Sequence, residues 1–352
     1  MKEWIDVLNP FNSIKILIYR EWLEGYAKEY YRPPVTVAID TINNCNLKCI
    51  WCNAKNVIKK KISKMTIDEA VKIAKFIDKW GVLGTCIAGG GEPLMNKPAF
   101  NTLLLECHKR HISNSVITNG TLLDTESIKN IAETCRWVGI SVDAGSKETF
   151  KKLKGVDMFE KVIENIIKMR NKIDKIGSKC EIGFKFVLHP ENQHEIVSAI
   201  KWAKKSGAHD FHLRPAASRM KLNYDFNLIQ EKFNLGYMYN DKDFRVYGIT
   251  HKFDNEFKST FDFEYCRACS IHPVFCADGT FQLCIDRRGE DNLTLCDWYP
   301  DPANILKYWN TDIHREILRN VNFDECPKCV FSGYNRIIEK VFIDDQMCRR
   351  HV

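Results

Sequence analysis

The sequence predicts an α/β protein, a parallel strand–helix region followed by a smaller, cysteine-rich α+β extension. Three observations carry this. Between residues 35 and 214, short apolar strand patterns alternate strictly with amphipathic helical ones. After about residue 220 the alternation fades and eight cysteines follow, from Cys266 to Cys348. The 352 residues, 45% hydrophobic and 28% charged, have a globular composition and suffice for one large domain and a smaller one.

The elements follow in order. Residues 1–33 carry many aromatics and read as one or two short helices forming a cap on the main domain. Pro33-Pro34 ends them, because proline cannot continue a helix. Val35–Ile39 is strand one. Thr66 and Glu69 form a capping box, and Ile67, Ala70, Val71, Ala74 and Ile77 share one helix face until Gly81 stops it. Leu83–Ala88 is strand two, with a helix over 98–111. Ser115–Ile117 is strand three, with a helix over 124–135. Trp137–Val142 is strand four, followed by helical pattern over 147–176. Cys180–Leu188 is strand five, with a helix over 193–206, and Asp210–Arg214 is strand six. This alternation fits either a barrel or a doubly wound sheet. The expected division is 1–33, 34–220 and 221–352.

The bulk numbers narrow the function classes. The net charge of +7 is modest, and the lysines are dispersed apart from Lys59–Lys61, so no dedicated nucleic-acid face is expected. The start, Met1 to Ile5, has no secretory pattern, and Ile14–Ile18 is too short to cross a bilayer. Fifteen cysteines without a secretory signal point to a reducing, cytoplasmic setting and to metal binding rather than disulfides.

Directly after strand one, Cys45, Cys49 and Cys52 fall within eight residues, with Trp51 before the last. So tight a loop can turn three thiolates toward one point, which suits an iron–sulfur cluster. Zinc is the rival, but no second Cys/His pair follows within thirty residues. Strand two ends in Gly89-Gly90-Gly91-Glu92-Pro93 and strand three in Thr118-Asn119-Gly120. Period-two alternation puts Ser141 and Asp143 on one face at the end of strand four. It likewise puts Lys185 with Gly183 on strand five, and His212 with Arg214 on strand six.

The cysteine spacing, the aromatic before the last cysteine and the Gly-Gly-Glu turn one unit later resemble the radical SAM superfamily. That resemblance selects a partial (β/α)6 TIM-type barrel, whose chemistry sits at the C-terminal ends of the strands. It implies a [4Fe–4S] cluster on Cys45, Cys49 and Cys52, with S-adenosylmethionine (SAM) chelated to its unique iron. It implies SAM contacts at Gly90, Gly91, Glu92, Asn119, Ser141 and Asp143, and a SAM or substrate contact at Arg214.

In the extension, Phe275–Leu283 reads as a hairpin turning at Asp278-Gly279. The run Cys266, Gly279, Cys284 and the pair Cys326/Cys329 resemble the SPASM and twitch auxiliary-cluster domains of the same superfamily. A full SPASM pattern would place cysteines where Asn335 and Glu339 stand. The resemblance therefore implies one auxiliary [4Fe–4S] cluster on Cys266, Cys284, Cys326 and Cys329, with Cys269 an alternative to Cys266 and Cys348 left over. A four-cysteine zinc site would use the same ligands.

The expected activity is reductive cleavage of SAM to a 5′-deoxyadenosyl radical that abstracts a substrate hydrogen, for a net oxidation or rearrangement. An external one-electron donor such as flavodoxin or ferredoxin is implied. The chain has no room for an N-terminal peptide-recognition domain, which favours a small molecule (a sugar, cyclitol or metabolite) over a peptide. A zinc-binding interaction protein is the alternative from another class; it leaves the Gly-Gly-Glu turn without a purpose.

Overall fold

A computed structural model describes residues 12–216, 222–248, 259–326, 329 and 331–344. Six strands form the body: β1 (Thr36–Asp40), β2 (Gly84–Ala88), β3 (Ser113–Thr118), β4 (Cys135–Ser141), β5 (Glu181–Leu188) and β6 (Asp210–Pro215). Each pairs in parallel with the next, as in a partial barrel. Helix α1 (Arg20–Ala27) precedes them and the short α2 (Lys55–Ile58) follows β1. The crossovers use α3 (Ile67–Trp80), α4 (Lys97–Lys109), α5 (Thr125–Thr134), α6 (Lys147–Lys154), α7 (Phe159–Ile176) and α8 (Ile196–Lys205).

The elements form for local reasons visible in their residues. Thr66 Oγ1 accepts from Glu69 N at 3.2 Å, and Glu69 Oε2 accepts from Thr66 N at 2.7 Å, closing the capping box of α3. The 147–176 pattern is two helices, because Gly155 (φ +77°) ends α6 in the left-handed region. On β5, Ile182, Phe184 and Phe186 are fully buried, and Phe184 and Phe186 both pack on Phe211 of β6, with ring centroids 5.9 and 5.5 Å away. Strand alternation then turns Lys185 to the other face, into the lumen.

The sheet runs on past residue 220 at both edges. Helix α9 (Phe226–Tyr237) and β7 (Arg245–Gly248) add a seventh unit, β7 lying parallel beside β6. Sequence reading stopped at six, because β7 is only four residues long. At the opposite edge β8 (Val274–Phe275) pairs in parallel with β1. The expected hairpin leads into β9 (Thr280–Gln282), and β10 (Thr294–Asp297) extends it antiparallel. Gly279 has φ +93°, as its turn requires. Helices α10 (Asp312–Arg319) and α11 (Ser332–Ile337) complete the extension.

The N-terminal segment, described from Asn12, is tied to this extension as well as to the barrel. Tyr31 N donates to Asn310 Oδ1 at 2.8 Å, Trp309 Nε1 donates to Tyr31 O at 2.9 Å, and Tyr265 OH donates to Glu29 Oε1 at 2.5 Å. The barrel, this segment and most of the extension share one continuous core. Among the described residues no helix is long and apolar enough to cross a membrane.

One buried ion pair fastens the extension to the barrel. Arg288, from the loop after β9, reaches Asp40 at the end of β1 with 2.9 Å between Nε and Oδ2, and both side chains are buried. Burial raises the Asp40 carboxyl to about 6 against the pull of the arginine charge. Removing one partner leaves a buried charge unpaired. Arg288→Met is therefore expected to cost about 3–5 kcal/mol in urea unfolding, most of it recovered in the Asp40→Leu/Arg288→Met double variant.

Candidate radical-cofactor site

The loop after β1 turns over the C-terminal mouth of the barrel and carries Cys45, Cys49 and Cys52, all half-buried. Two contacts shape it. On one side the glycine turn after β2 presses against it: Glu92 N donates to Asn44 O at 2.9 Å, and a Cβ on Gly91 would lie 2.0 Å from that same oxygen. A Cβ on Gly89 would meet Gly91 O at 1.8 Å, so the turn closes only with glycine at these positions. On the other side the end of α6 holds the loop, with Lys48 N donating to Lys154 O (2.9 Å) and Ile50 N to Leu153 O (3.1 Å).

Glu92 is 3% exposed and fully engaged inside the protein. Its Oε1 accepts from Thr118 Oγ1 (2.6 Å) and Leu94 N, and its Oε2 accepts from Asn119 N (2.8 Å). Burial raises its carboxyl, and these hydrogen bonds oppose the rise. Asn119 in turn donates to Asn46 Oδ1 at 2.9 Å, and Asn46 donates to Thr121 Oγ1 at 2.8 Å. The motifs on β1, β2 and β3 are thus one hydrogen-bonded unit. Asn46 and Thr121 carried no signal in the sequence, since only the fold brings them together.

At the end of β4, Asp143 sits at φ +61° and also has internal partners. It accepts from Val187 N at 2.6 Å and forms a fully buried ion pair with Lys154. The Ser141 carbonyl accepts from the same ammonium at 3.2 Å, and that ammonium lies 5.4 Å from the Trp51 ring centroid. Sequence reading missed Lys154 because it looks like one more lysine in a basic helix end. Burial works to lower its pKa, but the Asp143 carboxylate and the nearby Cys49 and Cys45 hold it above the usual value. Burial pushes the Cys45 thiol up to about 11 and raises Cys49 too, the latter opposed by the Lys154 charge. Three thiols beside a buried cation, under a turn without side chains, fit an anionic thiolate-bound cluster. Lys185, His212 and Arg214 line the lumen on β5 and β6.

A second thiol group lies in the extension. Cys266, Cys269, Cys284, Cys326 and Cys329 line one apolar pocket, with Phe261 and Phe323 on its wall. The Cys266 and Cys269 sulfurs are 3.3 Å apart. The Cys269 hydrogen bond lowers the Cys266 pKa against the cost of burial, helped by the Asn335 amide, which donates to Cys266 Sγ at 3.4 Å. Glu339 instead pairs with Arg267 at 2.5 Å. Buried Arg287 approaches Cys326 Sγ at 3.8 Å and is held by Glu290 and Glu325. Burial pushes Cys326 up to about 12, opposed by that arginine. Among the described residues no three His, Cys, Asp or Glu side chains close on a point that one ion would fill; the five thiols ring a space instead. Cys348 lies outside the described residues.

Comparison with known proteins agrees with this geometry. Residues 39–203 match the radical SAM superfamily. A probable GTP 3′,8-cyclase of Saccharolobus islandicus is 31% identical over 52% of this chain and 57% of its own length, so the match spans little more than half of that relative. A probable GTP 3′,8-cyclase of Saccharolobus solfataricus is 26% identical over 82% of this chain and 92% of its own. The fold is shared with Streptococcus suis SuiB bound to S-adenosylmethionine, at a TM-score of 0.65 and 17% identity over 90% of this chain and 76% of that one. With its three-thiol loop inside the matched region, the chain carries a radical SAM domain over residues 39–203, the domain of a superfamily whose enzymes work with a [4Fe–4S] cluster and S-adenosylmethionine.

Proposed function

We propose that this enzyme cleaves SAM reductively at the barrel mouth and acts on a small molecule, in a net oxidation or rearrangement assisted by an auxiliary [4Fe–4S] cluster. The observation that carries the reading is the single hydrogen-bonded unit joining the cysteine loop, the glycine turn and Asn119. When bound, the cluster and SAM supply one-electron cleavage of a carbon–sulfur bond and a 5′-deoxyadenosyl radical able to take a substrate hydrogen.

The chain's own groups hold and orient. Cys45, Cys49 and Cys52 would ligate the cluster. The backbone of Gly90, Gly91 and Glu92, together with Asn119 and Ser141, borders the seat for SAM. Glu92 and Asp143 act through their neighbours: Glu92 fixes the Asn119 turn, and Asp143 fixes Lys154. Lys154 offsets the negative charge that thiolates and a SAM carboxylate bring together in a low-dielectric mouth. Arg214 faces the lumen below. Cys266, Cys284, Cys326 and Cys329 would hold the auxiliary cluster, with Cys269 as the fifth thiol of that cavity. The electron comes from an external donor of the flavodoxin or ferredoxin type.

A small-molecule substrate is supported by the relatives named for cyclising GTP and by the charged lining of the lumen. A peptide substrate is the second reading, suggested by the structure of SuiB with a precursor peptide, whose fold this chain shares.

Anaerobic reconstitution followed by assay of 5′-deoxyadenosine with SAM and dithionite tests the reading. The wild type is expected to form deoxyadenosine and carry about eight irons per chain, Cys49→Ala to form none, and Cys329→Ala to carry about four. Zinc with about four irons in the wild type would make the auxiliary site a zinc site, and no deoxyadenosine from folded, iron-loaded protein would overturn the reaction. Lys154→Met is expected to weaken SAM binding at least tenfold by equilibrium dialysis, with Lys154→Arg recovering most of it.

A further inference from the structure

The lumen holds two cations for which the described structure gives no counter-ion. Parallel register sets Lys185 of β5 beside Ser141 of β4 and His212 of β6, and sets Arg214 beside Val187, one step nearer the mouth on the same face. Lys185 is 5% exposed, and its ammonium lies 5.7 Å from the Trp137 ring centroid. Strand four makes room for it: a Cβ on Gly139 would lie 2.7 Å from Lys185 Cδ. Among the described residues no carboxylate comes within ion-pair distance of Lys185, and Arg214 Nε is buried without a hydrogen-bond partner.

Two of the acidic groups nearby are paired elsewhere, and the third, Asp210, is engaged through Oδ2 alone. Asp143 is paired with Lys154 and Asp40 with Arg288. Asp210 accepts from Trp137 Nε1 at 3.3 Å, and burial raises its carboxyl to about 7. Cys86 of β2, whose thiol burial raises, and His212, beside Lys185 on β6, are further titratable neighbours. Holding the Lys185 charge out of water beside a second, half-buried cation without compensation is costly, and an apolar side chain would fill the same space at lower cost. The strain registers on Lys185, which burial first, and the Arg214 charge second, lower to about 7. An anion between the two cations would relieve it.

We propose that Lys185 and Arg214 form a seat for an anionic group of the substrate, a carboxylate or a phosphate, within the barrel lumen. This rests on the proposed reaction only in assigning the anion to the substrate. SAM carries a carboxylate of the same chemistry. The cation beside the cofactor thiols, however, is Lys154, which interacts with Cys49 and Cys45, whereas the neighbours of Lys185 are Cys86, Asp143 and Asp210. The seat therefore lies deeper than the SAM end.

Calorimetric titration of the reconstituted enzyme with inorganic pyrophosphate and with malonate, with and without saturating SAM, tests it. At least one probe is expected to bind once per chain, equally well with SAM present, and at least tenfold more weakly to K185M and to R214Q. A charged lysine binds the anion, so affinity falls as pH rises through its pKa. Bound anion shifts that pKa upward, so the loss is expected above pH 7, approaching tenfold per unit, and is absent in K185R. K185M is expected to melt no lower than wild type, since it removes an uncompensated buried charge. Failure of both probes to bind, binding indifferent to K185M, or a marked fall in its melting temperature would overturn the seat. Displacement of the probe by SAM would assign the seat to the cofactor and overturn the substrate assignment. Deoxyadenosine formation, measured on the same protein, reports the reaction separately.

Discussion

The approach of the glycine turn to Asn44 is the contact on which the site depends. At Gly91 a single methyl group would fall 2.0 Å from the Asn44 carbonyl oxygen. That closeness lets Glu92 N hydrogen-bond the cysteine loop while its carboxylate crosses to Thr118 and Asn119. Asn119 then reaches back to Asn46, between the first two cysteines of the loop. A loop with three thiols gains little from apolar burial. Its shape is imposed instead by strand ends, each of which would move if the glycines carried side chains.

Buried charge is the second organising constraint. Lys154–Asp143 and Arg288–Asp40 are both complete pairs; the first joins the end of β4 to the helix that follows it, and the second spans elements far apart in sequence. The first braces the cysteine loop from α6, and the second brings the extension against β1. Such pairs add little net stability over apolar substitutes, but each is expensive to break singly, so they fix arrangement more than they add free energy. Lys185 and Arg214 depart from this pattern in the same lumen, and that departure makes them informative.

Much of this was legible in the sequence, and what was not has a common cause. The three-cysteine loop, the glycine turn, the capping box at Thr66 and the turn at Gly279 are local patterns whose chemistry is carried by adjacent residues. Six strands could be read because each has a run of apolar residues followed by an amphipathic helix. Strand β7, four residues reading Arg-Val-Tyr-Gly, has too little periodicity to stand out. Arg288, Asn46 and Asn335 act only through partners distant in the chain, and Lys154 looks like one more lysine in a basic helix end, so nothing beside them in sequence marks them. The cap's attachment to the extension through Tyr31 and Asn310 is hidden for the same reason. The carboxylates of Glu92 and Asp143, expected to contact SAM, have protein groups as their observed hydrogen-bond partners.

Electron paramagnetic resonance of the reduced, reconstituted protein, with and without SAM, tests the central claim most directly. The account predicts two cluster signals. One, absent in Cys49→Ala, shifts when SAM is added, and the other does not respond to SAM. A signal from the cysteine-loop cluster that SAM leaves unchanged would contradict the assignment of that loop as the seat of the cofactor.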